Sequence, residues 1–288
     1  MTFRKKFVAF LVLSLSTAFT LSATAQTSSL TAAQIVEKNI AARGGLEAWR
    51  KLQTMSWSGK MDAGGGNSIE RSRRFAEGRL APTSKVQQSE MSAADAKEDK
   101  QVQLPFTLYL KRGRKSRIQL EFAGKKPVQV YDGTNGWKYR PYLNREDVEP
   151  FTSDELKAEA QKSDLDGPLV DFKEKGTKID SAGMEKVEGH DAYKLKLTSK
   201  NGDVQYVWID AKSFLDVKMS GTPRRMDGRM HNVYIYQRDF RNVQGLMVPY
   251  LLETAVEGYR ETHKMELETV AVNPKLEDSL FTRPQSSK

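Results

Sequence analysis

The chain has 288 residues, no cysteine and a formal charge of +9. That length is enough for a sizeable core, and the missing thiols exclude a disulfide framework and thiolate chemistry. The positive balance suits solubility or an anionic membrane surface.

In chain order, Arg4, Lys5 and Lys6 precede an apolar stretch from Phe7 to Leu21. Ala23-Thr24-Ala25, before Gln26, has the small-x-small form cut by signal peptidase. The run is short and diluted by Ser and Thr, which argues against a membrane span. A secretory signal over 1–25, cleaved after Ala25, is therefore expected, with residues 26–288 as a single exported domain. Removing Arg4, Lys5 and Lys6 takes the formal charge from +9 to +6. An exported chain without a recognition motif is not expected to bind nucleic acid.

Thr31 caps a predicted helix carrying Ile35, Val36 and Ile40, stopped by Gly44-Gly45. Leu46, Trp49 and Leu52 then fall at three-residue steps and predict a second helical piece. Met55, Trp57, Gly59 and Met61 alternate along a strand over Thr54–Met61, which Gly64-Gly65-Gly66 ends. Arg71, Arg73 and Arg74 mark a second strand. The stretch to Gln101 is polar, and an insertion with little to bury is expected over about 81–101.

Three apolar runs follow, Phe106–Leu110, Ile118–Phe122 and Val128–Tyr131, and the Asp132-Gly133 and Asn135-Gly136 turn then leads to Trp137. Phe106, Leu108 and Leu110 share one face, as do Ile118, Leu120 and Phe122. Whether that face covers a packed core or a cargo is left open by alternation alone. A helix over Thr152–Lys162 with acidic residues in its first turn comes next, then a short helical turn at Asp166–Phe172. From Lys178 onward the chain reads as strands: Asp191–Thr198, Val204–Ile209, Phe214–Ser220, His231–Asn242, Leu246–Val256 and His263–Val272. Leu280 and Phe281 are expected to anchor the tail.

Catalytic patterns are missing from the sequence. His190, His231 and His263 stand far apart, outside any ligand-spaced motif, and read as exposed turn or strand-start residues. Asp210, Asp216 and Asp227 read as turn acids, and Gly64–Gly66 lacks the Lys-Ser/Thr pair of a phosphate loop. No enzyme, metal or cofactor is expected. Strand-borne Trp57, Phe106, Phe122, Trp137, Tyr193 and Trp208 fit an ordinary core, or the wall of a lipid site.

LYLKRGRKSRIQLEF and VQVYDGTNGWKYRP, with LDGPLVDF and VNPKLEDSLF, resemble the periplasmic lipoprotein carriers of the LolA/LolB type. The nearest likeness is to the longer outer-membrane lipoprotein-sorting proteins. The resemblance implies a mainly β (α+β) fold: an unclosed, strongly curved antiparallel β-barrel with a helical lid over an apolar cavity. It implies a periplasmic location and a carrier, chaperone-like and without cofactor, that holds acyl chains of lipoproteins or other lipids. A lipid-responsive sensor or interaction module on the same fold is the alternative. A monomer is expected, and docking on a membrane or a transporter is left open. The cavity candidates are Trp57, Phe106, Leu108, Leu110, Ile118, Leu120, Phe122, Trp137, Tyr193 and Trp208. By the same resemblance Arg112 is the lid latch, although Gly113 stands where the carriers have proline.

Overall fold

The computed structural model describes residues 30–65, 101–141 and 147–285. The signal expected at 1–25, the strand expected at Arg71, Arg73 and Arg74, and the 81–101 insertion apart from Gln101 lie outside those residues.

Three α-helices are seen among the described residues: α1 (Ala32–Ala42), α2 (Leu46–Lys51) and α3 (Ser153–Lys162). The early strands are β1 (Thr54–Gly65), β2 (Gln101–Lys111), β3 (Lys115–Leu120), β4 (Val128–Tyr131), β5 (Gly136–Tyr139) and β6 (Val148–Pro150). The later ones are β7 (Lys178–Val187), β8 (His190–Thr198), β9 (Val204–Asp210), β10 (Asp216–Met226), β11 (Arg229–Val243), β12 (Leu246–Val256) and β13 (Thr262–Val272). All thirteen join one curved, unclosed sheet in the order β6-β5-β4-β3-β2-β1-β13-β12-β11-β10-β9-β8-β7. Every pairing is antiparallel, as period-two patterning requires.

Local chemistry explains the elements. Thr31 and Gln34 form a capping box on α1, and Thr152 and Glu155 form one on α3. Asp132 accepts amide hydrogens from Thr134 and Asn135 at 2.8 and 2.7 Å, so the Asp-Gly-Thr-Asn-Gly motif is a hairpin turn. Asp210 accepts from Lys212 and Ser213 in the same way. β3 stops at Leu120, short of the expected Phe122. Ala123 and Gly124 have φ of 49° and 74°, and Phe122 pairs with Lys125 across that two-residue turn. Residues Asp166–Phe172 are turns rather than a helix. β10 begins at Asp216, after Phe214 with φ 57°, and runs six residues past the expected Ser220 end.

Register assigns the faces. Met55, Trp57 and Gly59 oppose Leu110, Leu108 and Phe106 on β2, and Val272, Val270 and Leu267 on β13. Trp49, Leu52, Leu165 and Val170 from the helical layer pack on that side against Met55, Phe106, Leu110, Leu246, Val248 and Leu267. Each such side chain withdrawn from water contributes about 1.5–3 kcal/mol. This is the helix face. The opposite, outer face carries the buried Phe281, which anchors the tail as expected, and Arg117 reaches the Leu280 carbonyl at 3.3 Å.

Candidate binding face and its helical cover

Seven of the ten cavity candidates fall on the helix face or continue its line, and an eighth joins them by register. Phe106 and Leu110 are buried under α2, whereas Trp57, Leu108, Ile118 and Leu120 are half-buried members of the same cluster. Phe122 is half-buried in the turn beyond β3. Tyr193 opposes Ile209 beneath α1 and stacks on Phe214 at 6.0 Å. Half-buried Met61, Leu252 and Met265 extend this face past the helices, Met61 in the alternation already read along its strand with Trp57.

Two candidates are corrected. Trp137 opposes Val130, and Val130 opposes Arg117, which places Trp137 on the outer face. Trp208 opposes Lys194 and Lys218 while its neighbours Val207 and Ile209 point to the helices, so it too faces outward. There Lys218 lies 4.5 Å from the Trp208 ring and 4.1 Å from the Tyr234 ring, and burial pulls its ammonium below the usual lysine range. Trp208 donates to Glu185 at 2.8 Å. These aromatics form a small cation–aromatic cluster apart from the apolar face.

Arg112 directly follows β2 and reaches the helical layer with its whole guanidinium. It donates to both Asp166 oxygens at 2.8 Å, to the Trp49 carbonyl at 2.8 Å and to the Leu52 carbonyl at 2.9 Å. The fork therefore holds the carbonyls that close α2 and the segment that follows α3. The Arg112 side chain is 35% exposed, whereas Asp166 is only 5% exposed, so the carboxylate depends on this partner. The hydrogen bond donated to Asp166 raises the Arg112 pKa further above its ordinary range.

A second polar tie was invisible in the sequence. Asn39, fully buried on α1, donates to the Phe214 carbonyl at 2.8 Å and to Asp216, and Arg43 lies 3.8 Å from Asp216. Asp216 is thus a buried helix-docking group and not a turn acid. Arg43 also donates to the Asp166 carbonyl at 3.3 Å and covers the Trp49 ring at 4.2 Å. Gly44, at φ 116°, approaches the β11–β12 turn so closely that a Cβ would sit 2.2 Å from the Gly245 oxygen.

α3 is attached differently, since it buries none of its residues. Lys138 of β5 donates to Glu155 at 2.6 Å, and Ser116 of β3 donates to Glu159 at 2.7 Å. Lys157 donates to Asp203 of the β8–β9 turn at 2.7 Å. Glu155 and Lys157 are two positions apart, yet one reaches β5 near one end of the sheet order and the other the β8–β9 turn near the opposite end. The sheet therefore curves enough for α3 to bridge the seam between its two end regions. Burial alone would raise the Glu155 carboxyl; hydrogen bonds from Lys138 and the Thr152 amide outweigh it and hold it below the usual range. A cleft of about 370 Å³ opens between α3 and β8–β10, floored by Leu197, Val204 and Met219 and walled by Lys157, Gln161 and Asp203.

The histidines keep to separate places. His190 is exposed at the start of β8, and His231 contacts the Glu257 carbonyl at 3.0 Å and the Tyr259 ring. His263 is half-buried on β13. Among the described residues no three acidic or histidine side chains gather as a metal-ligand set, and no helix is long and apolar enough to cross a membrane.

No family model and no curated protein matches the sequence. Solved structures do match. A LolA superfamily protein from Nitrosomonas europaea aligns at 13% identity and TM-score 0.52, over 88% of this chain and 98% of that one. A DUF1329 family protein from Desulfovibrio piger aligns at 14% identity and TM-score 0.53, over 88% and 98%. A domain from Vibrio parahaemolyticus, named for outer membrane lipoprotein sorting, aligns at 11% identity and TM-score 0.50, over 86% and 94%. At these identities the likeness establishes the fold, and the chain has the LolA-like architecture.

Proposed function

We propose that the chain is a periplasmic carrier that holds acyl chains of lipids or lipoproteins against the helix face, beneath a cover that α3 can leave. One observation carries this reading. The helix spanning the sheet seam has no buried side chain of its own and rests on the helix face through the polar contacts Lys138–Glu155 and Ser116–Glu159. Such a cover can detach without exposing core of its own. The fold shared with lipoprotein-sorting and LolA superfamily structures supports the same reading.

The physics is a balance between two similar quantities. Each methylene that moves from water to Trp57, Leu108, Ile118 and Leu120 contributes about 0.8 kcal/mol. Opening costs the polar contacts of α3 and, for a wider movement, the Arg112–Asp166 fork. Arg112 is the proposed latch because it joins β2, α2 and the segment after α3 in one group. No step of this cycle requires bond chemistry.

Native mass spectrometry of protein taken from its own cell envelope, with uptake of a fluorescent fatty acid, tests the proposal. Bound lipid and uptake that Ile118→Arg abolishes are expected. A lipid-free protein that also fails to take up the probe overturns it.

A further inference from the structure

β10 and β11 run farther than the strands beside them. β9 pairs with β10 only between Asp216 and Met219, and β12 accompanies β11 no farther than Val256 opposite Val233. Beyond those points the two strands pair with each other alone: Arg224 with His231, Arg225 with Met230, and Met226 with Arg229. The ribbon turns at Asp227 and Gly228, with φ of 50° and 75°. Strand direction alternates across the sheet, so this tip lies at the end opposite Arg112.

The chemistry of the tip differs from that of the other turns. Arg224, Arg225 and Arg229 are all exposed, and among the described residues none of them meets a carboxylate. Among the described residues Arg225 donates only to the Gly228 carbonyl, at 3.2 Å. The one acid of the turn, Asp227, already accepts from the Tyr259 hydroxyl. Met230 is 57% exposed, the largest value among the described exposed large hydrophobic residues. Arg260, on the adjacent β12–β13 turn, adds a fourth exposed guanidinium.

The ribbon leans on the β12–β13 turn through Asn232, His231 and Asp227, which meet Glu257 and Tyr259. Arg224, Arg225, Arg229 and Met230 stay exposed and gain little from that packing, so what they present is explained by contact outside the chain. We propose that this hairpin docks the protein on an anionic phospholipid bilayer. The guanidinium forks fit headgroup phosphates, while Met230 enters the boundary between headgroups and acyl chains. Three residue pairs at about 3.4 Å each make a tip of roughly 10 Å, which matches the depth of that boundary. An acidic protein surface would satisfy the arginines but leave the thioether unexplained. The proposal goes beyond acyl-chain binding and does not depend on it.

Flotation with vesicles of phosphatidylglycerol and phosphatidylethanolamine, against vesicles of phosphatidylcholine, is the test. The protein should float with the anionic vesicles and be released by salt. The triple change Arg224→Gln, Arg225→Gln and Arg229→Gln should weaken binding about 100-fold, at about fivefold per guanidinium. Met230→Ser should weaken it about fivefold. Thermal unfolding and fatty-acid uptake, read on the same variants, should stay unchanged. The proposal falls if the wild type ignores anionic vesicles or binds both kinds equally. It falls equally if the triple variant floats as before, or if the protein is retained only by a polyglutamate resin.

Discussion

Two parts of the helical cover sit on one sheet and are held there by opposite means. α1 and α2 insert Ile35, Val36 and Trp49 into the core and dock buried Asn39 and Arg43 on Asp216. α3 inserts nothing and rests on Lys138–Glu155, Ser116–Glu159 and Lys157–Asp203. Their shielding differs: Lys138 is 11% exposed and Ser116 3%, against 59% for Lys157. Exposed pairs contribute about 0–1 kcal/mol. The difference separates an anchor, which unfolds only with the domain, from a cover that opens at small cost. Arg112 stands at the border between them.

The largest effect that would break this contrast is expected at the anchor. Gly44→Ala places a Cβ against the Gly245 oxygen at a positive φ, and should cost about 4 kcal/mol in chemical denaturation. Arg112→Leu comes next. It strands the buried Asp166 and two carbonyls, and should cost about 3 kcal/mol, with faster hydrogen exchange at α2 and around Asp166. Arg112→Lys keeps the charge without the fork and should restore only part of that loss.

Effects confined to α3 should be smaller in stability and larger in motion. Glu155→Gln with Glu159→Gln should cost about 1 kcal/mol, hardly change Tm, and speed both exchange at Ser153–Lys162 and probe uptake. Acid should do the same. The Glu155 carboxyl is held below its ordinary value of 4.5, so its contribution is present above that pH and fades as pH falls through the lower native value. Exchange at α3 should rise below about pH 4.5 while α1 stays protected. A matching rise at α1 would erase the distinction. The smallest effect is expected on the outer face, where Trp208→Phe should leave acyl binding unchanged.

The sequence was informative wherever one face alone was apolar. Alternation placed Phe106, Leu108, Leu110, Ile118 and Leu120 on one side, and register agreed. It failed at Trp208, because Tyr206–Ile209 is apolar on both faces and period two then carries no sign. It failed at Trp137 because a four-residue strand is too short to show its phase. Asn39 and Asp216 are 177 positions apart, and no local pattern announces a buried polar pair. The β10–β11 ribbon was read as ending at Ser220 because its arginines hide a strand that buries nothing.

Leaving the sheet open has a consequence for how many copies can assemble. An open sheet has two terminal strands whose free backbone groups could template a neighbour. At one end β6 is only three residues long and finishes in Pro150. At the other, β7 is broken by an irregularity between Ser181 and Met184, carries Gly183 at φ 92°, and is lined by exposed Lys178 and Lys186. Both edges therefore resist extension by a second molecule, so crowding should not drive strand-to-strand polymerisation of the folded chain. The gap in the sheet is kept for the chain's own helix.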